Sequence, residues 1–190
     1  MVPDDVISFW LDEVGEKGWY QPGPTLDDDI RTRFRPAWEK IDALAGDWPK
    51  GRDASLALLI LADQFPRNMF RGDARSFATD KLARRIADAA IAEGHDLATP
   101  EPQRQFFYLP FEHSEEMGDQ NRAVTLFEDR MPGENLRHAR LHREVIRRFG
   151  RFPWRNDPLG RETTPQERMF LDQGGYAALV KGSLSLADPG

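Results

Sequence analysis

Apolar residues recur along this chain at spacings of three and four, with almost none of the alternation that marks a strand. Pro3, Asp4 and Asp5 read as a helix start, with Val6, Phe9, Trp10 and Val14 on one stripe behind them. Thr25 as a cap, with Asp28 at the third helical position, predicts a helix to about Ala45 that Pro36 kinks or divides. Ala54 to Ala62 is apolar on every side, which predicts a helix buried all round at the centre of the domain. Further helices are predicted over about Ala74 to Glu93, with Leu82, Ile86, Ala89 and Ala90 inward, over Glu101 to Leu109 with a stop at Pro110, and over Glu112 to Asp129. Leu136 to Phe149 forms an Arg- and His-rich helix. Thr164-Pro165-Gln166-Glu167 reads as the capped start of a last short one.

The pattern implies an all-α fold of antiparallel helix pairs joined by short Pro/Gly turns, about seven to nine helices in all. The expected organisation is one domain over residues 1–190, with an ordered core from about 3 to 175 and a loose C-terminal tail after Gly174-Gly175. No repeat near the ~34-residue helical-repeat period is visible.

Composition narrows the function classes. The 190 residues suit a single domain with a sizeable core. There is no cysteine, which removes disulfides, thiolate nucleophiles and Cys-ligated metals. No stretch approaches the roughly 20 apolar residues of a membrane span and no leader pattern opens the chain, so the expected location is the cytoplasm, away from membranes. A net charge of -6 disfavours nucleic acid as a partner. Charge is nevertheless segregated. Residues 1–31 hold eight acids against Lys17 and Arg31, whereas residues 137–155 hold seven arginines against Glu144 alone. This is either a pair of solvated faces or an anion-attracting patch.

Candidate chemistry lies where polar residues interrupt apolar stripes. On the helix expected from Glu112, the stripe Met117, Val124 and Phe127 extends by helical spacing to His113 and Gln120, with Glu116 adjacent. His138 and His142, four apart, flank the stripe of Leu141, Val145, Ile146 and Phe149. Asp63 and Gln64 end the all-apolar helix, just before Phe65-Pro66-Arg67-Asn68. A longer relative of that turn, Phe149 to Arg161, contains Arg151, Arg155, Asn156 and Arg161. Buried polar groups need partners, since an unmet one costs about 1–3 kcal/mol. Helical phase therefore predicts that three sets converge: Asp63/Gln64/Arg67/Asn68, His113/Glu116/Gln120 and His142/Arg151/Arg155/Asn156/Arg161.

These residues also carry a resemblance. Residues 61–72 (LADQFPRNMFRG), 77–80 (FATD), 108–115 (YLPFEHSE) and 149–153 (FGRFP), with Arg155-Asn156 and Gly160-Arg161 following, resemble the motifs of a widespread bacterial family, domain-of-unknown-function family number 924. The likeness spans about residues 6 to 175. It implies a tetratricopeptide-repeat-like all-α fold and brings no activity, cofactor or catalytic residue. It also implies a histidine between the Pro and the Arg-Asn of the last motif. Here that position is Trp154, which suits packing or ligand stacking better than chemistry.

Three readings follow. The polar residues form a structural network. Or Asp63, Gln64, Arg67, Asn68, Gln120, Arg151, Arg155, Asn156 and Arg161 line a site for a small anionic ligand or acidic peptide, with guanidiniums gripping carboxylate or phosphate. Or the chain is an enzyme, with His113 or His142 as general acid/base, Glu112 or Glu116 orienting it and an arginine stabilising developing charge. No cofactor motif is present. A metal variant would use His138, His142, His113 and Glu116, although the neighbouring arginines oppose a cation. The oligomeric state is not encoded in any pattern we recognise.

Overall fold

A computed structural model describes residues 1–21, 23–48 and 50–186. The described residues hold ten helical runs and no strand, an all-α fold. The short helices beyond the expected number are too brief for periodicity to reveal. Contacts gather the chain into two compact units, Met1–Pro110 and Phe111–Gly190.

In the first unit, α1 runs over residues 3–19 and turns at Gly15, whose φ of +67° suits glycine. The second helix, α2 (Pro24–Trp38), starts at Pro24 behind Gly23, so Thr25 lies inside the first turn and is not the cap. Proline at the first helical position needs no N–H and has its φ already set. Pro36 is tolerated near the end, and the break falls just after it, before α3 (Ile41–Asp47). The central helix α4 covers residues 52–69, with a π-helical stretch at Ile60–Gln64. Leu56 to Asp63 are all buried, as the unbroken apolar run requires. Phe9, Trp10 and Phe34 pack around its Phe65, with ring centroids 4.7–5.8 Å apart. Trp10 therefore belongs to the core, while Trp19, Trp38 and Trp48 are half-buried.

The helix expected from Ala74 is two pieces, a 3-10 turn at Ala74–Phe77 and α5 (Asp80–Ala92). Its inward face is also one position off. Ala83, Ala87 and Ala90 are buried, Leu82 and Ile86 are half-buried, and Ala89 is exposed. Alanine methyls let α5 lie close on α4, and close approach outweighs the larger apolar side chains in choosing the face. The run from Glu101 is likewise a 3-10 turn, Gln103–Phe107, and Pro110 sits inside α6 (Leu109–Glu112) instead of ending a helix.

In the second unit, α7 (Met117–Arg130) and α8 (Glu134–Phe149) pack as a hairpin. Gly150 ends α8 in the left-handed conformation, φ +69°. A 3-10 turn follows at Pro153–Arg155, then α9 (Pro165–Asp172) and α10 (Gly175–Val180). The sequence-expected cap of α9 is a full capping box: Thr164 Oγ1 accepts from the Glu167 N–H, and Glu167 Oε2 accepts from the Thr164 N–H. The core of the unit is Val145, Ile146, Phe152, Phe170 and Leu179. Leu179 comes from the segment expected to be loose, and Leu184 and Leu186 pack against the same core.

Candidate functional site

Within the first unit, the π-helical stretch brings Asp63 to a buried position with its carboxylate at the end of the apolar run. Arg67, one helical turn on, answers it. Its Nη1 donates to the Asp63 carbonyl at 2.5 Å and lies 3.2 Å from Asp63 Oδ1 and 3.1 Å from Asp80 Oδ1. Gln64 Nε2 donates to Asp63 Oδ2 at 2.5 Å. Asn68 turns elsewhere and donates to Asp27 Oδ1 at 2.8 Å, where Arg71 also grips both oxygens at 2.9 Å. Burial would raise the Asp27 carboxyl, but the hydrogen bonds from Arg71 and Asn68 hold it below its ordinary value. Arg67 and Asn68 are thus bound to two different sets of carboxylates supplied by the protein itself.

The arginines of the second unit are matched the same way. Arg151 holds Glu167 with Nε at 2.6 Å and Nη2 at 2.8 Å, and Asn156 Nδ2 adds a contact at 3.2 Å. With the Arg151 guanidinium bonded to it and the Thr164 N–H added, Glu167 is lowered to about 2. Arg161 holds both oxygens of Glu115 at 3.0 and 2.7 Å, while the Phe152 N–H donates to the same carboxylate at 2.9 Å. Burial opposes ionisation of Glu115, and Arg161 and the Phe152 N–H more than offset it, so its pKa is lowered. Arg155 is buried, stacks over Phe152 at 4.6 Å and donates from Nη2 to the His113 carbonyl at 2.9 Å. A cleft of about 600 Å³ beside this region is lined by Arg148, Phe149, Arg151, Thr164, Gln166 and Glu167. Its Arg151 and Glu167 already face each other.

His113, Glu116 and Gln120, expected on one helical face, do not share one. Residues 113–116 are a turn between α6 and α7, with Ser114 Oγ donating to Asp119 Oδ2 at 2.6 Å and accepting from the Glu116 N–H. The reason is local: a serine hydroxyl offers the backbone an alternative to the helix. Glu116 is exposed and lies outside the cluster. Gln120 is fully buried, and its Nε2 reaches back to the carbonyls of Glu112 and Ser114, both at 2.6 Å. It binds the turn, and its amide nitrogen is spent there.

His142 is different. It lies on α8, enclosed by Tyr176, Phe152, Trp154 and His113, with ring centroids at 4.4, 5.4, 6.2 and 6.4 Å. Its Nδ1 faces Glu112 Oε1 at 2.8 Å, the His138 carbonyl at 3.0 Å and the Tyr176 hydroxyl at 3.1 Å. A carboxylate and a carbonyl only accept, so Nδ1 carries the proton. The Tyr176 hydroxyl has another acceptor, His138 Nδ1 at 2.7 Å. Burial lowers the pKa of His138, which keeps it neutral and able to accept, and burial with the nearby Glu112 charge raises that of Tyr176. His142 Nε2 is therefore left with its lone pair and no hydrogen bond among the described residues.

Glu112 and His138 were legible as neighbours of the histidines. Tyr176 was not, because it lies 34 residues from His142 in a segment with weak patterning. The fourth histidine, His95, also escaped notice. In the first unit its Nδ1 is 3.3 Å from Ser55 Oγ and its Nε2 3.3 Å from Glu93 Oε2, but Glu93 is 58% exposed and orients nothing firmly. Among the described residues, no three His, Asp or Glu side chains are placed to hold a metal ion, and no helix is long and apolar enough to cross a membrane.

No functionally curated protein matches this chain. It is similar to a solved structure of a protein of unknown function from Agrobacterium tumefaciens, ATU0120, at 45% identity and a TM-score of 0.83, over 90% of this chain and 97% of that one. The model of a family described as bacterial protein of unknown function, DUF924, matches residues 6–175. With the helical fold and the motif residues placed as above, the chain belongs to the DUF924 family.

Proposed function

We propose that the second unit carries an acid–base site in which His142 Nε2 is the proton acceptor and Glu112 the carboxylate that orients it. The observation that carries this reading is the 2.8 Å contact from His142 Nδ1 to Glu112 Oε1, a residue 3% exposed. A buried carboxylate on one ring nitrogen sets the tautomer and leaves the other nitrogen basic, the arrangement general-base histidines use. Tyr176, bridging His138 and His142, steadies the ring. The arginines play a scaffold role here. Arg151 and Arg161 are each closed on a carboxylate of the chain, and an incoming anion would have to displace a tethered partner. That weakens the anionic-ligand reading and the idea that an arginine stabilises developing charge.

The test is turnover. The purified protein is assayed against panels of esters, amides and other substrates whose reaction begins with proton removal. A hit should lose at least about a hundredfold in rate with His142→Gln, as general bases contribute ~10²–10⁴, and keep its rate with Arg147→Ala on the exposed face. Turnover that survives His142→Gln, or none across the panels, counts against the reading. A ¹⁵N spectrum of the wild-type imidazole checks its chemical basis, with Nδ1 expected to bear the proton in the neutral ring.

A further inference from the structure

Resting on that acid–base reading, we propose that the ligand of the His142 site is a small primary amine, bound as its ammonium, and not an anion. Three buried side-chain oxygens of the second unit have no hydrogen-bond partner: Glu112 Oε2, Gln120 Oε1 and Asn156 Oδ1. Buried polar atoms are satisfied in the great majority of folded proteins, so an unmet carboxylate oxygen 3% exposed calls for a donor. Glu112 gives one oxygen to His142 and has the second unspent. Gln120 has spent its amide nitrogen on the same turn, through the carbonyls of Glu112 and Ser114.

The surroundings favour a cation. Phe152, Trp154 and Tyr176 crowd His142, with Phe152 and Trp154 stacked at 4.8 Å and Trp154 5.5 Å from Tyr176. Aromatic faces beside a carboxylate attract an ammonium group, and an apolar tail packs on the same rings. Arg161 and Arg151 are closed on Glu115 and Glu167. Nothing comparable is closed on Glu112 Oε2. Because that oxygen is shut off from solvent, binding requires a side chain to move. Tyr176 is placed for it, second in the six-residue helix α10, where Gly174 just before the helix and Gly175 at its start have φ of +98° and +56°.

Isothermal titration of the full chain with phenethylamine and butylamine, and with 3-phenylpropionate and butyrate as anionic counterparts, tests this. Saturable binding of an amine is expected, tighter for phenethylamine, with no saturable binding of the acids. Glu112→Gln should weaken the amine at least tenfold, and Arg147→Ala should leave it within twofold. If Glu112→Gln does not fold, the wild-type spectrum decides: the amine must shift the His142 ring signals. Binding of the acids as tight as the amines, absence of amine binding, or amine binding that leaves His142 unmoved overturns the inference. Loss of amine binding with the His142 tautomer intact sinks this inference alone, whereas a His142 protonated on Nε2 in the neutral ring sinks the acid–base site with it.

Discussion

Arg67-Asn68 and Arg155-Asn156 use one chemistry in two conformations. Each arginine donates to a main-chain carbonyl, Arg67 to Asp63 and Arg155 to His113. Each asparagine donates to a buried carboxylate, Asn68 to Asp27 and Asn156 to Glu167. Yet the first pair is helical and the second lies at a 3-10 turn. What recurs is the donor requirement of a buried acid, not the backbone. Arg151→Met should therefore expose the cost of that acid. Glu167 is 2% exposed and would lose both contacts from its guanidinium. Breaking a buried pair from one side typically costs about 3–5 kcal/mol. Because Arg151 is itself partly exposed, 28% at the side chain, we expect a smaller loss, read as a lower urea midpoint with unchanged slope. A loss under about 0.5 kcal/mol, typical of an exposed pair, would show the contact to be a surface ornament.

At the scale of elements, boundaries follow local chemistry, and faces follow packing. The capping box of α9 was legible because all its parts lie within four residues, Thr164 to Glu167. Thr164→Ala should cost about 1 kcal/mol, measured by thermal or urea unfolding, and Thr164→Ser should restore most of it. Gly150 carries a related prediction. Its φ of +69° ends α8, and a Cβ there meets no neighbour within 4 Å, so Gly150→Ala should cost about 1 kcal/mol through backbone strain alone. Repacking cannot relieve that cost. By contrast, the inward face of α5 and the break before α7 are not legible in the sequence. The first was set by how closely alanines let two helices approach, the second by a serine that bonds its own backbone.

Over the whole molecule, paired carboxylates make stability depend on acid. Glu167 is lowered to about 2 by its hydrogen bonds from Arg151 and Thr164, and Glu115 and Asp27 are lowered as well. A carboxylate with a depressed folded pKa binds fewer protons folded than unfolded, so its contribution is complete above its unfolded value of about 4.3. That contribution is lost as pH falls from there toward about 2. His138, lowered by burial, works in the same direction nearer neutrality: stability falls as pH drops through about 6.5. Unfolding midpoints measured from pH 7 to pH 2.5 should decline in two stages. Glu167→Gln should flatten the lower stage, and an unchanged lower stage would assign it to other groups.

The all-α class, the buried central helix, the Arg/His-rich helix and the cap of α9 are legible in the chain alone. All of these depend on spacings of three or four residues, the range over which helical geometry dictates neighbours. The partners are set only by packing. Arg151 meets Glu167 sixteen residues away, Arg161 meets Glu115 forty-six away, and Tyr176 reaches His142 across thirty-four. No periodicity reports such distances. An arginine in a sequence advertises a need for anions without saying that the chain supplies them. A histidine on an apolar stripe likewise does not say which of its nitrogens is left free. Both answers come from which side chains packing forces together, because only there does the cost of an unmet buried charge or hydrogen bond select a partner.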